Sequence, residues 1–431
     1  MTNNNQSRLD LFSPIQIGPY NLANRVLMAP LTRNRAQSDG TPKDMAQTYY
    51  TQRASAGMIL TEATQISDMG KGYLDTPGIY TADHVTGWKK ITDAVHAAGG
   101  RIYCQLWHVG RISHVSLLPD GRQPVSSTNT AADAQTFTAN GFEATSKPVA
   151  LDAEGIAQTV NDYATAAQAA KDAGFDGIEV HAANGYLIDQ FLMDGVNDRT
   201  DAYGGSVEAR MKFLNEVLDV VGKVWSSDRI GVRLSPLGQA NDMSDSDPEA
   251  HFGAIYNALS ARNLAYLHVV EAFPGSDDEK GVQIVKRLRK HYDGFYIANG
   301  GYDASTAEEA IASGHADAVT FGRDFIANPD LPERFRRGAK LNEQDQDTFY
   351  GGGREGYTRH HPPSHMADDS GKGKKDCDEQ GHLAIRCELP QSTGLGKYTF
   401  HAHEGLQASS RCVKDQQPEE PQEDKSPQHN A

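Results

Sequence analysis

The chain has 431 residues, 38% hydrophobic and 23% charged, the profile of a globular protein with enough apolar material for a sizeable core. No run approaches the roughly 18 uninterrupted apolar residues of a transmembrane helix, and the net charge of −16 argues against sequence-independent nucleic-acid binding, which needs basic surface to displace counterions. The four cysteines form no C-x-x-C pair, so neither a disulfide framework nor a metal site is indicated.

The first ten residues are polar and lack the basic-then-apolar order of a secretory signal, which predicts a cytoplasmic protein. Residues 11–24 follow, and the Ile15/Ile17 alternation around Gly18-Pro19 predicts a hairpin at the floor of the fold. Eight short apolar runs come next, at 25–31, 57–60, 101–106, 177–180, 230–234, 266–270, 295–298 and 318–321. They are continuous and rich in Val, Ile and aromatics, as strands of a parallel sheet are when both faces are buried. Helical patterns lie between them. Trp88, Ile91 and Val95 form one stripe, Phe252, Ile255, Tyr256 and Leu259 another, and 207–225 reads as a single long amphipathic helix. Eight strands alternating with helices predict an α/β fold, a closed (β/α)8 TIM barrel. The gap after the third run is too long for one crossover and leaves an insertion at about 109–150, a candidate lid.

Active sites of such barrels sit at the C-terminal strand ends. There the sequence places Thr32-Arg33, Thr61-Glu62-Ala63-Thr64, Gln105 with Trp107 and His108, His181 with Asn184, Arg233, Asn299-Gly300-Gly301 and Gly322-Arg323. Glycines after strands 7 and 8 suit a phosphate, with Arg323 adding a charge-assisted fork. In His181-Ala182-Ala183-Asn184-Gly185-Tyr186, two donors can polarise one carbonyl oxygen, and a phenol stands ready as a proton source. Glu179 is expected to alternate away from the mouth relative to His181, or to lie deeper.

These motifs carry a resemblance. Ala29-Pro30-Leu31-Thr32-Arg33, Gln105-Leu106-Trp107-His108 and the His181–Tyr186 segment are similar to those of the Old Yellow Enzyme family, in its pentaerythritol tetranitrate reductase and N-ethylmaleimide reductase branch. So are Arg199-Thr200-Asp201-Ala202-Tyr203-Gly204-Gly205-Ser206, Phe321-Gly322-Arg323 and Phe349-Tyr350-Gly351-Gly352; together they span about residues 9–358 in family order. The resemblance implies FMN at the mouth, contacted by Pro30, Leu31, Thr32, Ala63, Gln105, Arg233 and Asn299. It also implies a phosphate site at Gly300, Gly301, Gly322 and Arg323. His181 and Asn184 would bind the substrate oxygen, Tyr186 would protonate, and Tyr73, Trp107 and Tyr350 would line the pocket. The implied reaction is ping-pong: NADPH or NADH reduces the flavin, which then reduces the C=C bond of a small α,β-unsaturated carbonyl or nitroalkene. The protein is expected to be a monomer or weak oligomer.

Past Thr358 the composition changes abruptly, and residues 359–431 have no sustained period of 2 or 3.6. They read as a disordered tail outside the barrel domain of 1–358, produced by a reading-frame change or readthrough. Two other readings stay open. One is a phosphate-binding barrel lyase or isomerase, with Glu62 or Glu179 as its catalytic group. The other is a barrel inactivated by its tail.

Overall fold

The structure is a computed structural model and describes residues 10–272 and 278–359. The expectation of disorder in the tail therefore falls, apart from Arg359, outside the described residues, as do Cys377, Cys387 and Cys412.

Each apolar run forms a strand because it is enclosed on both faces. The barrel strands are β1 (Val26–Met28), β2 (Ile59–Leu60), β3 (Ile102–Trp107), β4 (Gly177–Ala182), β5 (Ile230–Leu234), β6 (Tyr266–Val270), β7 (Tyr296–Asn299) and β8 (Ala318–Phe321), and every residue in them is buried. All neighbours are parallel, and pairing of Val319 with Val26 and Phe321 with Met28 joins β8 to β1. Closure leaves no sheet edge among these strands. The first strand is shorter than its apolar run, and 29–31 leave it to form part of the mouth.

Helices α1 (Asp44–Thr51), α2 (Ala82–Ala97), α3 (Ala153–Asp172), α4 (Lys212–Val221), α5 (Pro248–Ser260), α6 (Glu279–Arg289), α7 (Ala304–Ala312) and α8 (Leu331–Arg337) follow the strands in turn. The predicted stripes Trp88/Ile91/Val95 and Phe252/Ile255/Tyr256/Leu259 are buried. The single helix expected over 207–225 is instead a short helix, Val207–Arg210, followed by α4. Arg210 pins that first turn by donating to the carbonyls of Leu192 and Gly205, and Met211, which keeps helical angles, joins the two pieces.

Inside the barrel, alternate residues on each strand climb from floor to mouth, as 103/105/107 on β3 and 266/268/270 on β6. The floor is apolar: Leu27, Leu60, Tyr103, Tyr266, Ile297 and Ala318 pack with Ile17 and Leu22 of the N-terminal hairpin, Ile15–Ile17 paired antiparallel with Tyr20–Leu22. Gly177 and Gly231 make room for the two tyrosines, since a Cβ at either would overlap the ring of Tyr103 or Tyr266. The next layer is polar. Glu179 has the same parity as His181, so it shares the inward face and lies one layer deeper; the idea that it alternates away is corrected by the two-residue strand period.

The insertion after β3 is built of short turns, the parallel pair Val125–Ser126/Val149–Ala150 and a hairpin of Gln135–Thr138 with Gly141–Ala144. Phe137 from that hairpin packs with the cluster of Tyr73, Trp107 and Tyr186 at the mouth.

Because Ile17 is 1% exposed and plugs the floor, Ile17→Ala is expected to cost about 2–5 kcal/mol. Urea unfolding measures this, and a cost below about 0.5 kcal/mol, the scale of a surface change, would show the hairpin to be an appendage.

Candidate active site

The mouth is built mainly from residues that leave the strands at their C-terminal ends. His181 is the fifth residue of β4, and two residues after the strand the chain reverses through Asn184 (φ 59°) and Gly185 (φ 76°). Asparagine tolerates the left-handed region, and glycine is required next, because a Cβ there would lie 2.6 Å from the Ala240 carbonyl oxygen. The turn is held on several sides. The Asn184 N–H donates to Ser235 Oγ at 2.7 Å, Asn241 donates to the Asn184 carbonyl at 2.8 Å, and the Gly185 N–H donates to Asp189 at 2.8 Å. Burial lifts the Asp189 carboxyl to about 7.

Tyr186 begins the short buried helix Leu187–Leu192. Its ring meets Trp107 edge-on at 5.0 Å and His181 at 5.2 Å, and its hydroxyl lies 3.2 Å from that of Tyr73. Tyr73 stacks on Trp107 behind this group, wholly buried and off the cavity wall. Burial, with Arg233 and His268 adding to it, drives the His181 pKa well below 6.5, so the ring is neutral. Burial also pushes the Tyr186 phenol up to about 12, so it keeps its proton at neutral pH.

On the opposite side, Pro30, Leu31, Thr32 and Ala63 line the cavity. Gln105 and Arg233 reach it from within the barrel; Gln105 donates to Glu179 at 2.7 Å and Arg233 to Asn299 at 2.8 Å. Asn299 thus supports Arg233 rather than lining the cavity. Arg323 stands at the rim, opening a short helix, Arg323–Ala327, whose carbonyls at Phe325 and Ile326 accept from Arg53. Gly300 (φ 134°), Gly301 (φ 72°) and Gly322 border the rim without lining the cavity. A Cβ on Gly300 would lie 2.7 Å from the Ala272 nitrogen, whereas the space beside Gly301 is open.

The last described segment supplies Tyr350. Arg33 donates to the carbonyls of Phe349 and Gly356, Arg35 donates to that of Thr348, and Tyr357 stacks on Tyr49 at 4.1 Å. This clasp brings Tyr350 to the wall of the cavity. Glu62 lies behind it, accepting from the Arg33 N–H and from Tyr50, and does not line the cavity.

Four lining residues were absent from the predicted set: Ala29, Val270, Ile326 and Phe349. Ala29 and Phe349 lie within recognised motifs, and Val270 follows Tyr266 and His268 on the inward face of β6. Ile326 has no sequence signal. A separate cluster of Asp194, Asp245 and His251, with His251 2.7 Å from Asp245, was also not anticipated.

The cavity opens to solvent at the mouth of the barrel and is lined by these residues. Among the described residues, His181 Nδ1, Asn184 Oδ1 and Trp107 Nε1 are buried with no hydrogen-bond partner. Such atoms are costly in a closed protein and mark a place for a ligand. The chain matches the NADH:flavin oxidoreductase / NADH oxidase family over residues 10–342. It belongs to the Old Yellow Enzyme family. A relative, 12-oxophytodienoate reductase 2 of Arabidopsis thaliana, is 43% identical over 345 residues, covering 79% of this chain and 92% of its own. The structure of morphinone reductase superimposes with a TM-score of 0.79 at 48% identity, covering 82% of this chain and 96% of that one. An Old Yellow Enzyme homologue from Zymomonas mobilis gives 0.79 at 41% identity, covering 82% and 100%. Old Yellow Enzyme membership makes this chain an FMN-dependent oxidoreductase that takes its electrons from NAD(P)H. The residues fit that cofactor: Arg233 and the Gln105 amide line the cavity from within the barrel, and Gly322 adjoins Arg323 at its rim. No helix among the described residues is long and apolar enough to cross a membrane.

With its pKa lowered, His181 stays neutral as the pH falls through 6.5, and protonates only at lower values. Ring 15N shifts of labelled protein should therefore show no His181 titration near 6.5. A midpoint there would mean that the ring is hydrated and outside the enclosed site.

Proposed function

We propose that the chain reduces the C=C bond of small α,β-unsaturated carbonyls and nitroalkenes, with NADPH or NADH as reductant, in a ping-pong cycle. The observation that carries this reading is the buried, unpartnered His181 Nδ1 beside the protonated phenol of Tyr186, with Asn184 lining the same cavity. The relatives named for reduction of 12-oxophytodienoate and of morphinone support it.

His181, neutral, and the Asn184 amide donate to the activating oxygen of the substrate and stabilise the negative charge that develops there. Each such donor contributes on the order of 3 kcal/mol. Tyr186 delivers a proton to the α-carbon, and Tyr73 orients its hydroxyl. Trp107 and Tyr350 wall the space where the substrate lies. Bound FMN would supply the hydride chemistry between the nicotinamide and the alkene. Pro30, Leu31, Thr32 and Ala63 would hold its ring, Gln105 and Arg233 (braced by Asn299) would address its polar edge, and Gly300, Gly301, Gly322 and Arg323 would take its phosphate.

The lyase or isomerase reading needs a catalytic Lys or Glu at the mouth, and among the described residues none lines it, Glu62 and Glu179 included. We assign the activity to residues 1–358, acting in the cytoplasm as a monomer or weak oligomer without nucleic acid; the net charge of −16 supports the last point. A chain ended after Thr358 should keep its flavin content and turnover. Loss of both on truncation would make the tail part of the working protein.

Tyr186→Phe should slow alkene reduction by about 10²–10⁴-fold while leaving flavin reduction by NADPH unchanged. Stopped-flow absorbance separates the two half-reactions. Equal slowing of both, or of neither, would remove Tyr186 from the role of proton donor.

A further inference from the structure

Beneath the mouth lies a buried polar chain of which the reaction as described uses only Gln105. Gln105 Nε2 donates to Glu179 Oε1 at 2.7 Å; Glu179 Oε2 pairs with His268 Nδ1 at 2.9 Å; and His268 Nε2 meets Thr320 Oγ1 at 2.9 Å. The four side chains come from β3, β4, β6 and β8 and are at most 2% exposed. A carboxylate at the centre of a barrel has a high desolvation cost and stays only where partners compensate it. Burial opposes the charge on Glu179, yet His268, Arg233 and the Gln105 amide outweigh it and hold the carboxyl below its usual range.

We propose that Glu179 is a positioning residue for the flavin: it locks the Gln105 amide in one orientation and places a fixed negative charge beneath the polar edge of the flavin ring. This rests on the assignment of Gln105 and Arg233 to that edge. A carboxylate only accepts hydrogen bonds, so it admits the NH2 end of Gln105 and refuses the carbonyl end. The carbonyl oxygen and the second N–H are thereby left to serve the cavity in a single pattern. The charge acts separately from the lock. It offsets that of Arg233 and disfavours the added electron density of the reduced ring, so it holds the reduction potential down.

Two variants divide these effects. Glu179→Gln keeps the shape, removes the charge and permits the Gln105 amide to flip. Glu179→Asp keeps the charge and withdraws the acceptor by one methylene. FMN affinity is read by quenching of flavin fluorescence on titrating apoprotein. The two-electron potential is read by equilibration with a reference dye, and far-UV circular dichroism confirms folding. Both variants are expected to bind FMN at least tenfold more weakly. Only Glu179→Gln should raise the potential, by about tenfold in the reduction equilibrium, or roughly 30 mV for two electrons. If Glu179→Gln does not fold, a tenfold loss of FMN affinity in Glu179→Asp at unchanged potential still supports the lock. Flavin-loaded wild type alongside variants of unaltered affinity and potential overturns the inference alone. A wild-type chain that takes up no FMN overturns the flavin reading and this inference with it.

Discussion

A closed parallel barrel encloses both faces of every strand, so each polar side chain that points inward must find a partner or hold a ligand. That constraint organises this molecule. At the floor the packing is mainly apolar, with two tyrosine rings set against glycines and sealed by the Ile17 and Leu22 hairpin, although the hydroxyls of Tyr103 and Tyr266 are buried there with no partner among the described residues. In the middle it is met by pairing, through Gln105, Glu179, His268 and Thr320. At the mouth it is left unmet on His181, Asn184 and Trp107, and there the chemistry is assigned.

Support for the mouth comes from segments distant in sequence. Ser235 and Asn241 follow β5, yet they fix the backbone of Asn184 after β4. Arg33 and Arg35, just past β1, hold the carbonyls around Phe349 and so set Tyr350 beside the cavity. These bonds explain how a left-handed turn and an irregular terminal segment can present side chains with fixed geometry. Burial then tunes the groups: His181 is kept neutral and Tyr186 protonated by one low-dielectric environment, the pair of states that electrophilic activation and proton delivery require.

Much of this was legible in the residues. Strands buried on both faces announce themselves as continuous apolar runs, and the residues that end them identify the mouth, which is why Thr32, Gln105, His181, Asn184 and Arg233 could be named without coordinates. What was illegible depends on three-dimensional pairing. Nothing local says that Tyr73 stands behind Tyr186, or that Asn299 braces Arg233. The division at Met211 was invisible because the amphipathic period runs through it and Met211 itself keeps helical angles. Of the two placements left open for Glu179, the two-residue period of β4 selects the deeper one on the inward face.

The most direct test is the visible spectrum of the purified, full-length protein under anaerobic conditions. A flavin band that bleaches on addition of NADPH and returns with 2-cyclohexenone would establish the cofactor, the reductant and the reduction of an activated alkene in one experiment. Bound flavin that NADPH bleaches but the enone does not reoxidise would contradict the assignment of His181, Asn184 and Tyr186 to alkene reduction.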